Sequence, residues 1–411
     1  MGYTPPLVGK VVGVCLLLSS AIGIRYPIAA AVAVTSTAFG IARYSAELEW
    51  AWGNAFQACV IFDSAIALIL SPQARVSWLR LRREQFKTGI LLAGLLTWAI
   101  VSESLAIVYE TGDPGPKHSL LRLVESVILC TVIMVSVTDF RRFVIVVGAS
   151  VVALGGSYLQ LRRLEHASDF AFAAAPLSCL LAGSASALNA SYFVSGVALS
   201  SLLAAASFFT ANRGANVGWL MTMICMAIAQ LRSLRIWTAI IGLVVLASFV
   251  AYRSPLRPRI QEWIDNGWST TTLASRVEFW KSSLSRLPDH SLTGIGPGRG
   301  GQDMSRDLQL KKWRATHNSF LEILSEQGIV GGLLWCGLLF NAFAICLSKV
   351  GGETACERAM AIGIGACLLA MVIAGMAISR HDDVRLFWAI GCAFALKTAH
   401  FDRPNGCGAA N

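Results

Sequence analysis

Charge is scarce in this sequence. Only 14% of its 411 residues are Asp, Glu, Lys or Arg, while 55% are hydrophobic and the mean hydropathy is +0.60. So few charges cannot cover the surface of a soluble globule, which excludes that class. Paired cysteines are lacking too: eleven cysteines stand singly, almost all inside apolar runs, with no CxxC spacing. They read as small core residues rather than as a disulfide framework. No cleavable signal peptide is expected, because Lys10 alone precedes an apolar stretch and further spans follow at once. No cluster of His, Cys and carboxylates has metal-ligand spacing, so neither a metal nor another cofactor is expected. The glycines of 294–301 have no following Lys-Ser/Thr and no preceding strand. Nucleotide binding is therefore disfavoured, and no nucleic acid partner is expected.

What the chain has is apolar length. Thirteen apolar segments recur, from about 7–24 through 88–109, 119–138, 170–187, 190–210, 235–252 and 318–347 to 385–399. Helices satisfy their own backbone hydrogen bonds in lipid, so the expected fold is an all-α polytopic membrane protein. One of the first three segments reads as a half-span or as part of a broken pair around Arg25-Tyr26-Pro27, which leaves about 12 transmembrane helices, or 13 if every segment crosses. Short basic connectors at Arg80 to Lys87, Arg141 and Arg142, Arg232 and Arg235, and Lys349 with Arg358 orient the spans with these loops cytoplasmic. Three parts follow: an N-terminal bundle over 1–252, a large outer loop over 253–317, and C-terminal helices with a short tail over 318–411.

The outer loop holds eleven basic and six acidic residues, a net +5 that is half the chain's formal +10. An anionic partner explains that excess best. Inside the loop, Ser269 to Thr272 offers N-caps for a helix running to about Leu287, with Leu273, Val277, Trp280 and Leu284 along one face. Arg276 lies one residue off that face. The glycine turn beyond it, with Gly296, Gly298 and Arg299, offers backbone amides to a ligand.

His317 and Asn318 stand where this loop meets the next apolar helix. A helix N-terminus lowers an imidazole pKa, which would keep His317 neutral and able to accept a proton. Arg213 closes an earlier span, and with Arg276 and Arg253 it suits bidentate contact with phosphate oxygens. Taken singly, each arginine could equally be a snorkelling anchor or a solvated charge. Asp382 and Asp383, in Arg380-His381-Asp382-Asp383, can orient His317 or an incoming hydroxyl, or can pair with Arg380 and Arg385.

These residues form a pattern. Thr210-Ala211-Asn212-Arg213-Gly214-Ala215, Ser275-Arg276 with Trp280, Gly294-Ile295-Gly296-Pro297-Gly298, and His317-Asn318-Ser319-Phe320-Leu321 with Glu326-Gln327-Gly328 lie in this order. The set, over about 190–400, resembles the O-antigen ligase and O-antigen polymerase superfamily of bacterial membrane glycosyltransferases. The resemblance implies a multi-pass protein of the inner membrane with its active site facing the periplasm. It implies a glycan moved from undecaprenyl pyrophosphate to lipid A-core or to a lipid-linked glycan. It places Arg213 and Arg276 on the donor's pyrophosphate and His317 as the base. Arg253, Asn318, Gly296, Gly298, Arg299, Trp280 and Asp382 are expected as further substrate-binding residues. Asn212 stands where the family often has Ser. Ligase is the first reading, polymerase the second, and a glycolipid flippase the third.

Overall fold

The computed structural model describes residues 17–19, 21–39, 50–109, 118–160, 167–210, 212–229, 271–310, 314–379 and 381–399, with a few more between 237 and 265. Arg253, Arg380, the side chain of Arg213 and most of the expected spans over 7–24 and 235–252 lie outside the described residues. All regular secondary structure among the described residues is helical. In chain order the helices are α1 (Pro27–Phe39), α2 (Trp50–Leu70), α3 (Pro72–Glu84), α4 (Phe86–Tyr109), α5 (His118–Ser136), α6 (Phe140–Gln160) and α7 (Ala167–Ser186). There follow α8 (Ala190–Phe209), α9 (Arg213–Ala229), α10 (Thr271–Arg286), α11 (Gly300–Asp307), α12 (Ser319–Lys349), α13 (Ala355–Gly375) and α14 (Val384–Thr398).

Six helices among the described residues are long and apolar enough to cross a membrane, seven if the bent pair Phe56–Leu70 and Pro72–Leu79 forms one span. The six coincide with segments expected from hydropathy. Others are too short on their own: α1 has 13 residues, about 20 Å at the usual helical rise. Length and composition therefore give a multi-pass helical protein, and they do not by themselves reach twelve crossings.

Apolar side chains have no advantage over lipid tails, so small residues and polar contacts hold such helices together. At the α7–α13 crossing, a Cβ on Gly183 would lie 3.0 Å from the Cα of Gly363. The helices meet backbone to backbone there. Ser178 of α7 meets the Ser200 hydroxyl of α8 at 2.9 Å and accepts from Trp219 Nε1 of α9 at 3.0 Å. These contacts join α7, α8 and α9 around a buried polar knot. On the other side, α14 packs on α5, and a Cβ on Gly391 would sit 2.7 Å from the Cys130 carbonyl.

The long helix α12 is broken. Gly328 has φ 66° and ψ −170°, which interrupts the hydrogen-bond ladder inside a membrane-length helix. Freed backbone groups at that depth must find protein partners. They do: Ser325 O accepts from Ile295 N at 3.0 Å, Glu326 O from Gly296 N at 2.9 Å, and Ile329 N donates to Ser291 O at 2.7 Å. From α4, Trp98 Nε1 donates to Gln327 O at 2.8 Å, and Ser102 lies 3.0 Å from Glu326 O. The glycine turn thus docks into the break of α12, and this seats the polar loop on the bundle.

Candidate functional site

The site grows from the first turn of α12. Asn318 is its N-cap, extended at φ −151°, and its side chain accepts from the amides of Phe320 and Leu321 at 3.0 and 3.2 Å. This is what a cap asparagine does, and it leaves His317 just outside the helix. His317 has φ 55°, a left-handed conformation uncommon for a residue other than glycine. Three contacts hold it there. Its backbone N–H donates to Ser379 Oγ at 3.0 Å, Trp280 Nε1 donates to the Thr316 carbonyl at 3.1 Å, and Thr316 Oγ1 lies 3.2 Å from Ser379 Oγ.

Trp280 identifies the inward face of α10. Phe279, Ser282 and Ser283 are buried there, and Arg276, one turn before Trp280, shares that face half-buried. The expected apolar stripe is split: Val277 and Leu284 point outward. The physical reason is that α10 packs on the polar loop and on α12 rather than on an apolar core, so serines are acceptable inside.

Arg276 acts on His317 electrostatically. Burial lowers the imidazole pKa first, the Arg276 charge lowers it further, Glu322 opposes them, and Arg314 adds to the fall. The direction matches the expectation from sequence, with desolvation the largest cause and the guanidinium charge of Arg276 the next. His317 is thus held neutral below its ordinary value near 6.5, as a proton acceptor requires.

The start of α9 joins the same place. A Cβ on Gly214 would lie 3.1 Å from Ala377 and Ile378, the two residues before Ser379. Asn212 caps this helix through Ala215 N at 3.0 Å. The backbone of Arg213 therefore stands beside the turn that holds His317. Arg213, Arg276 and His317 approach one end of the bundle.

Other residues singled out from sequence take up structural contacts. Arg299 is buried and donates to Glu103 of α4 at 3.1 Å, which ties the glycine turn to the bundle. The amides of Gly296 and Gly300 go to Glu326, through its carbonyl at 2.9 Å and its side chain at 3.3 Å. Gly298 remains partly exposed at φ 78°. Asp383 caps α14 and binds Arg385, Nε to Oδ1 at 2.7 Å, so of the two roles open to it the structure shows the pairing one. The Asp382 carbonyl accepts from Ser126 at 3.0 Å, and its side chain is half-buried. The loop's charge is partly spent internally, since Arg286 lies 3.0 Å from Asp303.

Sequence reasoning passed over Glu322, Ser379 and His381. Glu322 and Glu326 are buried one turn apart on α12, and His381 sits between them, Nδ1 3.4 Å from Glu322 and Nε2 3.3 Å from Glu326. Two carboxylates at i and i+4 inside an apolar helix were the available signal. Among the described residues no group of three or more His, Cys, Asp and Glu side chains is placed to hold a metal ion.

No curated protein matches the chain. The model of a family described as O-antigen ligase matches residues 170–336, a stretch that contains Arg213, Arg276, the glycine turn and His317. Over residues 170–336 the chain is thus similar to the O-antigen ligase superfamily.

Proposed function

We propose that this protein moves a glycan from undecaprenyl pyrophosphate to an acceptor sugar at the periplasmic face of the inner membrane, and that it is a ligase acting on lipid A-core. The observation that carries the reading is the half-buried imidazole of His317 at the head of a membrane-length helix, with its pKa lowered by burial and by the charge of Arg276. In the reaction the anomeric carbon loses its bond to the pyrophosphate oxygen and gains one to the acceptor oxygen. The acceptor's proton passes to His317, and the departing undecaprenyl pyrophosphate keeps the electron pair. Attack from the face opposite the leaving group inverts the anomeric centre. Arg276, with Arg213 and Arg253, supplies fixed positive charge where negative charge grows, and no reorganisation is needed at that moment. The basic loop draws an anionic glycolipid toward this end of the bundle.

The test uses purified full-length protein in nanodiscs given lipid-linked glycan and lipid A-core alone. A glycosylated core is the expected product. Longer lipid-linked glycan in its place would make the protein a polymerase, and the absence of any new glycosidic bond would leave transport. Arg276→Ala is expected to lower kcat about 10²- to 10³-fold, the usual effect of removing one preorganised charge donor.

A further inference from the structure

We propose that Glu322, rather than an aspartate of the 381–383 turn, is the carboxylate that supports His317, and that His381 is a positioning residue acting through Glu322. This rests on the reading of His317 as the base. Glu322 and Glu326 occupy one face of the first turns of α12, with relative exposures of 6% and 2%. Two unpaired carboxylates this close cannot both stay ionised away from water. His381 lies between them and is itself 4% exposed, with a carboxylate oxygen facing each ring nitrogen. Only a doubly protonated imidazole has a donor for both. The segment is pinned by Trp335, whose Nε1 donates to the His381 carbonyl at 3.1 Å.

Ser379 completes the connection. Its hydroxyl accepts the His317 backbone N–H and is hydrogen-bonded to the Glu322 carboxylate. Ser379 thus grips His317, and Ser379 and His381 together flank Glu322. The groups around this chain are few. His317 faces Arg276 from α10, Arg314 from the loop and Glu322 from α12. Glu322 faces Glu326 and His381, and His381 also faces Asp382. Burial would lower the His381 pKa, yet the carboxylates of Glu322 and Glu326, 3.4 and 3.3 Å from its ring nitrogens, raise it well above the ordinary value. An imidazolium at His381, 3.4 Å from Glu322, would balance a negative charge on that carboxylate. The negative charge then offsets the imidazolium that His317 becomes when it takes the acceptor's proton between two arginines.

Glu322→Gln in the full-length protein is expected to lower kcat about 10- to 100-fold, the usual effect of removing a group that supports a functional side chain. KM should change less than about twofold, because neither residue touches substrate. The low-pH limb of kcat/KM should move to lower pH, since the charge that raises the His317 pKa is gone. Glu322→Asp should recover part of both effects, and His381→Gln should move the limb in the same direction as Glu322→Gln. A merely structural pair would lower folded yield and leave the limb in place, and that result overturns the proposal. Histidine ¹⁵N spectra of the unmodified protein decide the matter even if both variants misfold. One of its six histidines should keep both ring protons at pH 8; if all six have lost one, the proposal fails. Retained transfer in His317→Gln would instead sink the base assignment and leave the spectra untouched.

Discussion

His317→Gln is expected to give a folded, membrane-inserted protein whose transfer rate has fallen about 10²- to 10⁴-fold, the usual worth of a positioned general base. The amide keeps the volume and the backbone N–H that Ser379 accepts, so the loss belongs to proton transfer. The pH dependence follows with a definite sign. A base works in its neutral form, so kcat/KM of the unmodified protein should rise with pH through the His317 pKa and then level off. Burial and the Arg276 charge place that pKa below the ordinary value, so the plateau should begin at a lower pH than an ordinary imidazole would give. Arg276→Ala removes one of the depressing charges, and whatever activity remains should show its low-pH limb displaced upward. This is opposite to the displacement expected for Glu322→Gln. Opposite displacements from two residues on either side of one imidazole are hard to produce by general damage. Initial rates from pH 5 to 8 for the three proteins provide the check. A His317→Gln rate within a factor of ten of the unmodified protein rules His317 out as the base.

The residues of this site were legible in sequence where local chemistry announces them. Asn318 caps because asparagine before an apolar period is a cap signal, and α12 begins one residue later. His317 stands out as an ionisable group at a helix head. Arg276 and Trp280 were legible as a pair one turn apart, but the inward face of α10 was not: period alone cannot tell a helix packed on a polar loop from one packed on apolar core. Glu322 and His381 were missed because their meaning comes from a contact between residues 59 positions apart. The glycine turn was misleading in an instructive way. Its exposed-looking amides suggested a ligand, yet Ile295 and Gly296 donate to the carbonyls that the break in α12 sets free. Nothing in the run Glu326-Gln327-Gly328-Ile329 says that a helix continuing for 31 residues bends there. The partners of that bend come from α4 and from the turn, and both are distant in the chain.

Gly328→Ala is the second large effect, and it acts on the fold first. Gly328 has φ 66°, and a Cβ there would lie 2.2 Å from the carbonyl oxygen of Leu292 and 2.8 Å from Gly294 N. Gly294 mirrors it at φ 69°, with its own Cβ position 2.3 Å from the Glu326 carbonyl. Two backbones therefore meet at two glycines, and neither obstacle is a side chain that could rotate away. An alanine at φ 66° and ψ −170°, a region essentially glycine's alone, costs about 1–3 kcal/mol, and forcing apart a tight contact adds about 1–3 kcal/mol. Gly328→Ala should then lose about 2–6 kcal/mol of stability, read as a marked fall in thermal midpoint in detergent. Gly337→Ala, on the same helix with its Cβ in ordinary contact at 3.5 Å from Leu91, should melt close to the unmodified protein. An equal midpoint for the two variants would show that the break in α12 is not held as described. The same substitution should also lower transfer in whatever protein folds. Separating the turn from α12 shifts Glu326, Glu326 anchors His381, and through Glu322 that displacement reaches the residue taking the proton.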